Sequence, residues 1–227
     1  MSKHFAIAID GPAAAGKSTI AKRVARALGA LYLDTGAMYR AVGLYMLRQG
    51  VSLDDTVAIA ARAPEARVDV RYAEGAQRVF LCGEDVSQAI RENAVSVAAS
   101  AVSAVPAVRE LLVARQREIA SGAFVVMDGR DIGTKVLPDA PVKVFLTASA
   151  EVRAQRRFLE LQARGQEVPY EQLLSEIRQR DHNDATRAAS PMVQAEDATL
   201  MDSSDMTIEE VTAAIIALAK KRMEAAR

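Results

Sequence analysis

The sequence predicts an α/β fold, a parallel sheet covered by helices on both faces. Three observations carry this reading. Short apolar runs alternate with segments of helical periodicity along the 227-residue chain. A glycine-rich loop, Gly11-Pro12-Ala13-Ala14-Ala15-Gly16-Lys17-Ser18, joins the first apolar run to the first helical segment. Only one stretch, roughly residues 57–93, breaks the alternation.

The first strand is expected at 5–9, Phe5-Ala6-Ile7-Ala8-Ile9, apolar and partly β-branched as a buried parallel strand should be. A helix follows at 17–28, with apolar residues at helical spacing and Gly29 as its stop. A second strand at 30–33 leads into a helix at 37–49. Val68-Asp69-Val70-Arg71-Tyr72, the turn Ala73-Glu74-Gly75-Ala76 and Gln77-Arg78-Val79-Phe80-Leu81-Cys82 read as a β-hairpin, with a second turn at Gly83-Glu84-Asp85. An antiparallel unit within a parallel fold is an insert. A helical region at 94–120, broken near Pro106, precedes strands at 123–127 and 142–147. Helices at 150–164 and 170–181, a strand at 198–202 and a helix at 208–225 complete the chain. The last helix carries a capping box, Thr207 with Glu210 three residues on.

Lys+Arg and Asp+Glu number 29 each, so the formal charge is zero, which argues against a general nucleic-acid or membrane binder. The single cysteine, Cys82, permits no internal disulfide and reads as a small apolar residue of a strand; a reducing compartment is expected. No apolar run approaches the roughly 20 residues of a membrane helix. Met1-Ser2-Lys3-His4 leads straight into a core strand, so no signal peptide is expected and the cytoplasm follows.

The loop fits the phosphate-binding pattern Gly-x4-Gly-Lys-Ser/Thr and lies between strand and helix, as that pattern requires. Backbone N–H groups and the positive end of the helix can cradle a polyphosphate there. Lys17 would reach the β- and γ-phosphates, and Ser18 would hold Mg²⁺. Ligands of such sheets bind at the C-terminal strand ends. Asp34-Thr35-Gly36 with Tyr39 and Arg40 falls at one such end, and Asp128-Gly129-Arg130-Asp131 at another. Arginines cluster further on: Arg153, Arg156, Arg157 and Arg164, mostly on one helix face, then Arg178, Arg180 and Arg187 around Asp181-His182-Asn183-Asp184. Arginine holds phosphate bidentately, so this region reads as a lid that closes over transferring phosphates. His182 is expected at the surface.

In combination these segments resemble the bacterial cytidylate kinases. The likeness runs from Ile7 to the final helix, through Ile9 to Thr19, Asp34 to Arg40, Val108-Arg109-Glu110, Asp128 to Gly133, and Arg180-Asp181 followed by Arg187. Ala13 and Ala14 stand where many members have Ser and Gly. The resemblance implies a P-loop nucleoside monophosphate kinase fold. Its five-stranded parallel core carries an acceptor insert at about 57–93 and a helical lid at about 150–168, in a single domain over 1–227. It implies transfer of the ATP γ-phosphoryl group to CMP or dCMP with Mg²⁺, in a monomer with no nucleic-acid or membrane partner. Gly11, Pro12, Ala13, Ala14, Ala15, Gly16, Lys17, Ser18 and Thr19 then hold the ATP phosphates. Arg40, Arg130 and Arg180 clamp the acceptor phosphate, and Arg180 and Asp184 meet the ribose. Ser100, Arg109, Asp131 and Arg187 read the cytosine, with Thr35, Tyr39, Asp128 and Gly129 lining the acceptor site. Lys17, Arg130, Arg180, Arg153 and Arg157 become the catalytic charges.

The loop and lid alone leave open another P-loop kinase, for UMP or shikimate. A guanine-nucleotide switch would need Asn-Lys-x-Asp, and neither Asn93 nor Asn183 precedes a lysine. No Ser/His or Cys/His pair suggests a nucleophile, and none is required: a nucleoside monophosphate carries nearly two negative charges at pH 7, and its own oxygen attacks.

Overall fold

The computed structural model describes residues 5–73, 75–163 and 165–225. Met1 to His4, Glu74 of the predicted turn and Arg164 of the predicted lid lie outside the described residues. In chain order the elements are β1 (Ala6–Asp10), α1 (Lys17–Leu28), β2 (Leu31–Asp34), α2 (Thr35–Arg48), α3 (Thr56–Arg62), β3 (Val68–Ala73), β4 (Ala76–Leu81), β5 (Glu84–Asp85), α4 (Asn93–Ser103), α5 (Pro106–Ser121), β6 (Val125–Gly129), β7 (Val142–Thr147), α6 (Ala150–Ala163), α7 (Tyr170–Thr186), β8 (Thr199–Asp202) and α8 (Ile208–Ala225).

Five strands form one sheet in the order β2-β6-β1-β7-β8. The pairs β1–β6, β1–β7 and β7–β8 run parallel. This is the expected P-loop kinase core. The chain folds as two compact units: residues up to Tyr32 together with those from Ala123, and Leu33–Gly122.

In the first unit, α1 and α8 bury their apolar stripes in one cluster with β1, β6 and β7. Val24 of α1 and Ile215 of α8 meet Ile7, Val126 and Val144 there. Thr207 and Glu210 close the predicted box at the start of α8: the Glu210 N–H donates to Thr207 Oγ1 at 3.2 Å, and the Thr207 N–H to Glu210 Oε2 at 2.8 Å. Register places Asp10, the last residue of β1, opposite Gly129 of β6. The phosphate-loop motif and the Asp128-Gly129-Arg130-Asp131 segment therefore leave the sheet side by side. Gly11 is indispensable at that exit: its φ is 143°, and a Cβ there would lie 1.9 Å from the Leu146 carbonyl oxygen.

In the second unit, β3, β4 and β5 form an antiparallel sheet, as the hairpin pattern implies. α2 packs on α4 so closely that a Cβ on Gly43 would come within 2.9 Å of the Ala99 nitrogen. Three local readings are corrected. A short helix, α3, capped by the Asp55 side chain on the Ala58 N–H (2.9 Å), occupies a stretch with no predicted element. The turn at Gly83 begins a genuine third strand, β5. Cys82 lies beyond β4, exposed, at φ 51°, rather than inside a strand. Among the described residues no single helix is long and apolar enough to cross a membrane.

Candidate active site

The phosphate loop starts at the C-terminal end of β1 and runs into the first turn of α1, so the helix directs its N–H groups and positive dipole end at the loop. Lys17 is 5 % exposed and folds back on the loop, its Nζ donating to the Pro12 carbonyl at 2.6 Å. Burial, and then the charges of Arg130 and Arg180, hold this ammonium well below the lysine range, against the opposing pull of Asp128 and Asp10. Cations gathered in this way favour a bound anion. Ser18 donates its hydroxyl to Asp128 Oδ2 at 2.7 Å, and Tyr32 donates to Asp128 Oδ1 at 2.8 Å. Asp128 is itself buried.

Asp10 was not singled out from the sequence, yet it ties the two strand ends together. Its carboxylate accepts the Ile132 N–H at 2.8 Å and the Gly133 N–H at 2.7 Å, where a π-type turn, Ile132–Val136, begins. Burial raises its pKa to about 6; the two N–H bonds and the Lys17 charge pull the other way, and the Asp131 charge adds to the rise. An aspartate closing an apolar strand directly before a glycine loop was the available signal.

Arg130, Asp131, Asp184 and Arg187 converge. Arg130 donates through Nε to Asp184 Oδ2 at 2.9 Å. Arg187 lies 3.8 Å from Asp184 Oδ1 and 4.0 Å from Asp131 Oδ1, and its Nε donates to the Ser190 carbonyl at 2.6 Å. Burial pushes the Asp184 carboxyl up, but Arg130, with Arg180 and Arg187, outweighs it and holds the group below the usual carboxylate range.

The lid arginines do not share one open face. Arg153 is buried. Its guanidinium reaches Asp181 twice (3.0 and 2.5 Å), the Ala148 carbonyl at 2.9 Å and the phosphate-loop Ala13 carbonyl at 3.1 Å. Arg156 turns to Ser203, donating to its hydroxyl at 3.2 Å and its carbonyl at 2.6 Å. Arg157 pairs with Glu160 at 2.8 Å near the surface. Each of these three arginines has an acceptor within the protein. Asp181, the key acidic residue here, falls in the sequence reading within a polar run and the Arg180-Asp181 segment of the family likeness, with no role of its own assigned. His182 is exposed, as expected.

In the second unit, Asp34 caps α2 through the Ala37 N–H (2.9 Å), which sets Thr35, 3 % exposed, at the helix start. Gln77 of β4 holds the Asp34 backbone at both ends, accepting its N–H at 2.7 Å and donating to its carbonyl at 3.3 Å. Arg109 lies over the Tyr39 ring at 5.6 Å and donates to the Ser103 carbonyl at 3.2 Å. The Ser103 hydroxyl in turn donates to the Ser100 carbonyl at 2.8 Å. The structure thus groups Tyr39, Ser100 and Arg109. Arg40 Nε is buried with no hydrogen-bond partner among the described residues.

A family model described as cytidylate kinase matches residues 7–221. The chain belongs to the cytidylate kinase family. Relatives named cytidylate kinase agree over nearly the full length. That of Mycobacterium avium is 53 % identical over 228 residues, covering 100 % of both chains. That of Pelotomaculum thermopropionicum is 56 % identical over 212 residues, covering 93 % of this chain and 94 % of its own. The fold is similar to a crystal structure titled a gluconokinase from Sinorhizobium meliloti, with a TM-score of 0.52 at 16 % identity, covering 97 % of this chain and 94 % of that one. The cytidylate kinase family assignment places the glycine-rich loop and its neighbours in an ATP-dependent kinase.

Proposed function

We propose that the chain transfers the γ-phosphoryl group of ATP to CMP or dCMP, giving ADP and CDP or dCDP in pyrimidine nucleotide metabolism. The observation that carries this at the level of chemistry is the Lys17 ammonium in a strand–loop–helix phosphate cradle, its pKa lowered first by burial and then by the charges of Arg130 and Arg180. Membership of the cytidylate kinase family supplies the acceptor.

Gly11 to Thr19 wrap the ATP phosphates, and Lys17 swings from the Pro12 carbonyl to the β/γ-phosphates. Arg40, Arg130 and Arg180 act on the acceptor phosphate; the buried Arg40 Nε, with no hydrogen-bond partner among the described residues, supports its part in that role. Asp184 meets the ribose with Arg180. Asp131 and Arg187 read the cytosine, a role that Ser100 and Arg109 share, with Thr35, Tyr39, Asp128 and Gly129 lining the acceptor. Arg153 and Arg157 add positive charge as α6 and α7 close. No side-chain base is needed, because the acceptor oxygen is ionised; positioning and charge neutralisation supply the catalysis. Cytosine offers an amino donor where uracil offers an acceptor, so buried polar readers reject UMP by leaving a group unpaired.

The residues present fit Mg²⁺. Ser18 Oγ and Asp128 Oδ2, hard oxygens 2.7 Å apart at the foot of the loop, would hold the ion together with nucleotide oxygens. When bound, the ion neutralises charge on the β- and γ-phosphates. The enzyme works as a monomer in the cytoplasm, without nucleic-acid or membrane partners. A coupled ADP-release assay with Mg-ATP across the nucleoside monophosphates and shikimate tests the reading. CMP and dCMP should be turned over fastest; equal turnover of UMP or shikimate, or no CMP-dependent ADP, would overturn it.

A further inference from the structure

The buried carboxylate of Asp128 is held from two sides. Ser18 of α1 donates to Oδ2 at 2.7 Å, and Tyr32 of β2 donates to Oδ1 at 2.8 Å. Tyr32 is half-buried, and Lys22 of α1 sits 5.5 Å from its ring centroid. Tyrosine and aspartate are 96 residues apart in sequence and meet because β2 lies next to β6 in the sheet. We propose that Tyr32 is a positioning residue for a divalent cation: its phenol fixes the orientation in which Asp128 shares that ion with Ser18 and the nucleotide. This rests on the reading of Ser18 and Asp128 as the ion's protein ligands.

The argument is one of non-competition. A cation would meet Ser18 through a lone pair of its hydroxyl oxygen and compete for Asp128 Oδ2, the oxygen that now accepts the Ser18 hydroxyl. The phenol bonds the other carboxylate oxygen and can persist. Partners of this kind set ligand orientation, and their loss costs metal affinity about 10–100-fold in other sites. Phenylalanine at position 32 keeps the ring, its strand and its contact with Lys22, and removes only the donor.

The test uses the full chain with ADP and Mn²⁺ as probe, bound ion being read by electron paramagnetic resonance. Wild type, Tyr32→Phe and Asp128→Asn are compared, with metal-free ADP binding and thermal melting as controls. Tyr32→Phe should weaken Mn²⁺ in the ADP complex about ten-fold and leave metal-free ADP binding unchanged. It should raise the Mg²⁺ concentration for half-maximal turnover by a similar factor. Unchanged Mn²⁺ affinity in Tyr32→Phe, with Asp128→Asn weakened, overturns the role of Tyr32 alone, whether or not the variant melts earlier. Unchanged affinity in Asp128→Asn overturns the underlying ligand assignment and the Tyr32 role with it.

Discussion

Arg153 grips both carboxylate oxygens of Asp181, at 3.0 and 2.5 Å, while donating to the Ala13 carbonyl at 3.1 Å. One side chain thus fastens α6 to α7 and both to the phosphate loop. Asp181→Asn removes the counter-charge of a guanidinium whose side chain is 6 % exposed. Asp181 is itself 24 % exposed, so the expected loss is about 1–3 kcal/mol, below that of a fully buried pair. The KM for ATP should rise, because the Ala13 end of the loop loses its anchor. Thermal denaturation and steady-state kinetics check both; unaltered melting together with unaltered KM would show that the grip is incidental.

Lys17→Ala should leave the fold intact and cripple transfer. The ammonium donates to the loop carbonyl of Pro12, and burial is itself unfavourable for its charged form. The loss in kcat should be on the order of 10³. Near-normal turnover in a folded variant would remove Lys17 from the chemistry.

Arg130 and Arg187 both reach Asp184, yet they should fail differently. Arg130→Ala removes a phosphate contact common to every acceptor. CMP and UMP should then lose kcat/KM alike, by about 2–4 kcal/mol. Arg187→Met should lower CMP turnover sharply and UMP turnover little, narrowing their ratio by about ten-fold. The shared Asp184 adds a coupling that a double-mutant cycle measures. An unchanged CMP/UMP ratio in a stable Arg187→Met protein would reduce that arginine to a structural partner of Asp131 and Asp184.

Strands were legible where β-branched and apolar residues cluster, as at 142–147, where Val142, Val144, Phe145 and Leu146 outweigh Lys143 and the structure reproduces the strand residue for residue. α3 was not, because in its seven residues Ile59 alone is buried, leaving no stripe to see. α7 runs to Thr186, past the predicted end at 181, because Asp181 and Asp184 are satisfied by arginines rather than by solvent or turn geometry. The phosphate loop announces itself locally, since its chemistry fits within a few consecutive residues. The pairs that shape its surroundings do not: Arg153 finds Asp181 28 residues on, and Asp10 finds Ile132 122 residues on. Such partners become visible only when the sheet register brings strand ends together.

Asp10 gives a pH signature. Its folded pKa of about 6 lies above the ordinary 3.8, so the folded chain binds this proton more tightly than the unfolded chain. The stabilisation is complete below about pH 4 and is lost as pH rises through 6. That difference corresponds to about 3 kcal/mol. Asp10→Asn cannot titrate here, so the stability of wild type relative to the variant should fall across pH 4–6 and level off above it. Melting curves of both proteins over pH 4–8 decide the point; parallel curves throughout would sink it.

Cys82, the chain's single cysteine, is exposed in a left-handed turn just past the hairpin strand. A maleimide dye or spin label therefore has one address per molecule in the unaltered protein. Spectroscopists commonly strip native thiols before installing a reporter, and every such replacement risks the enzyme under study. Here the reporter goes onto the β3–β5 sheet directly, and its anisotropy can be followed while CMP is titrated.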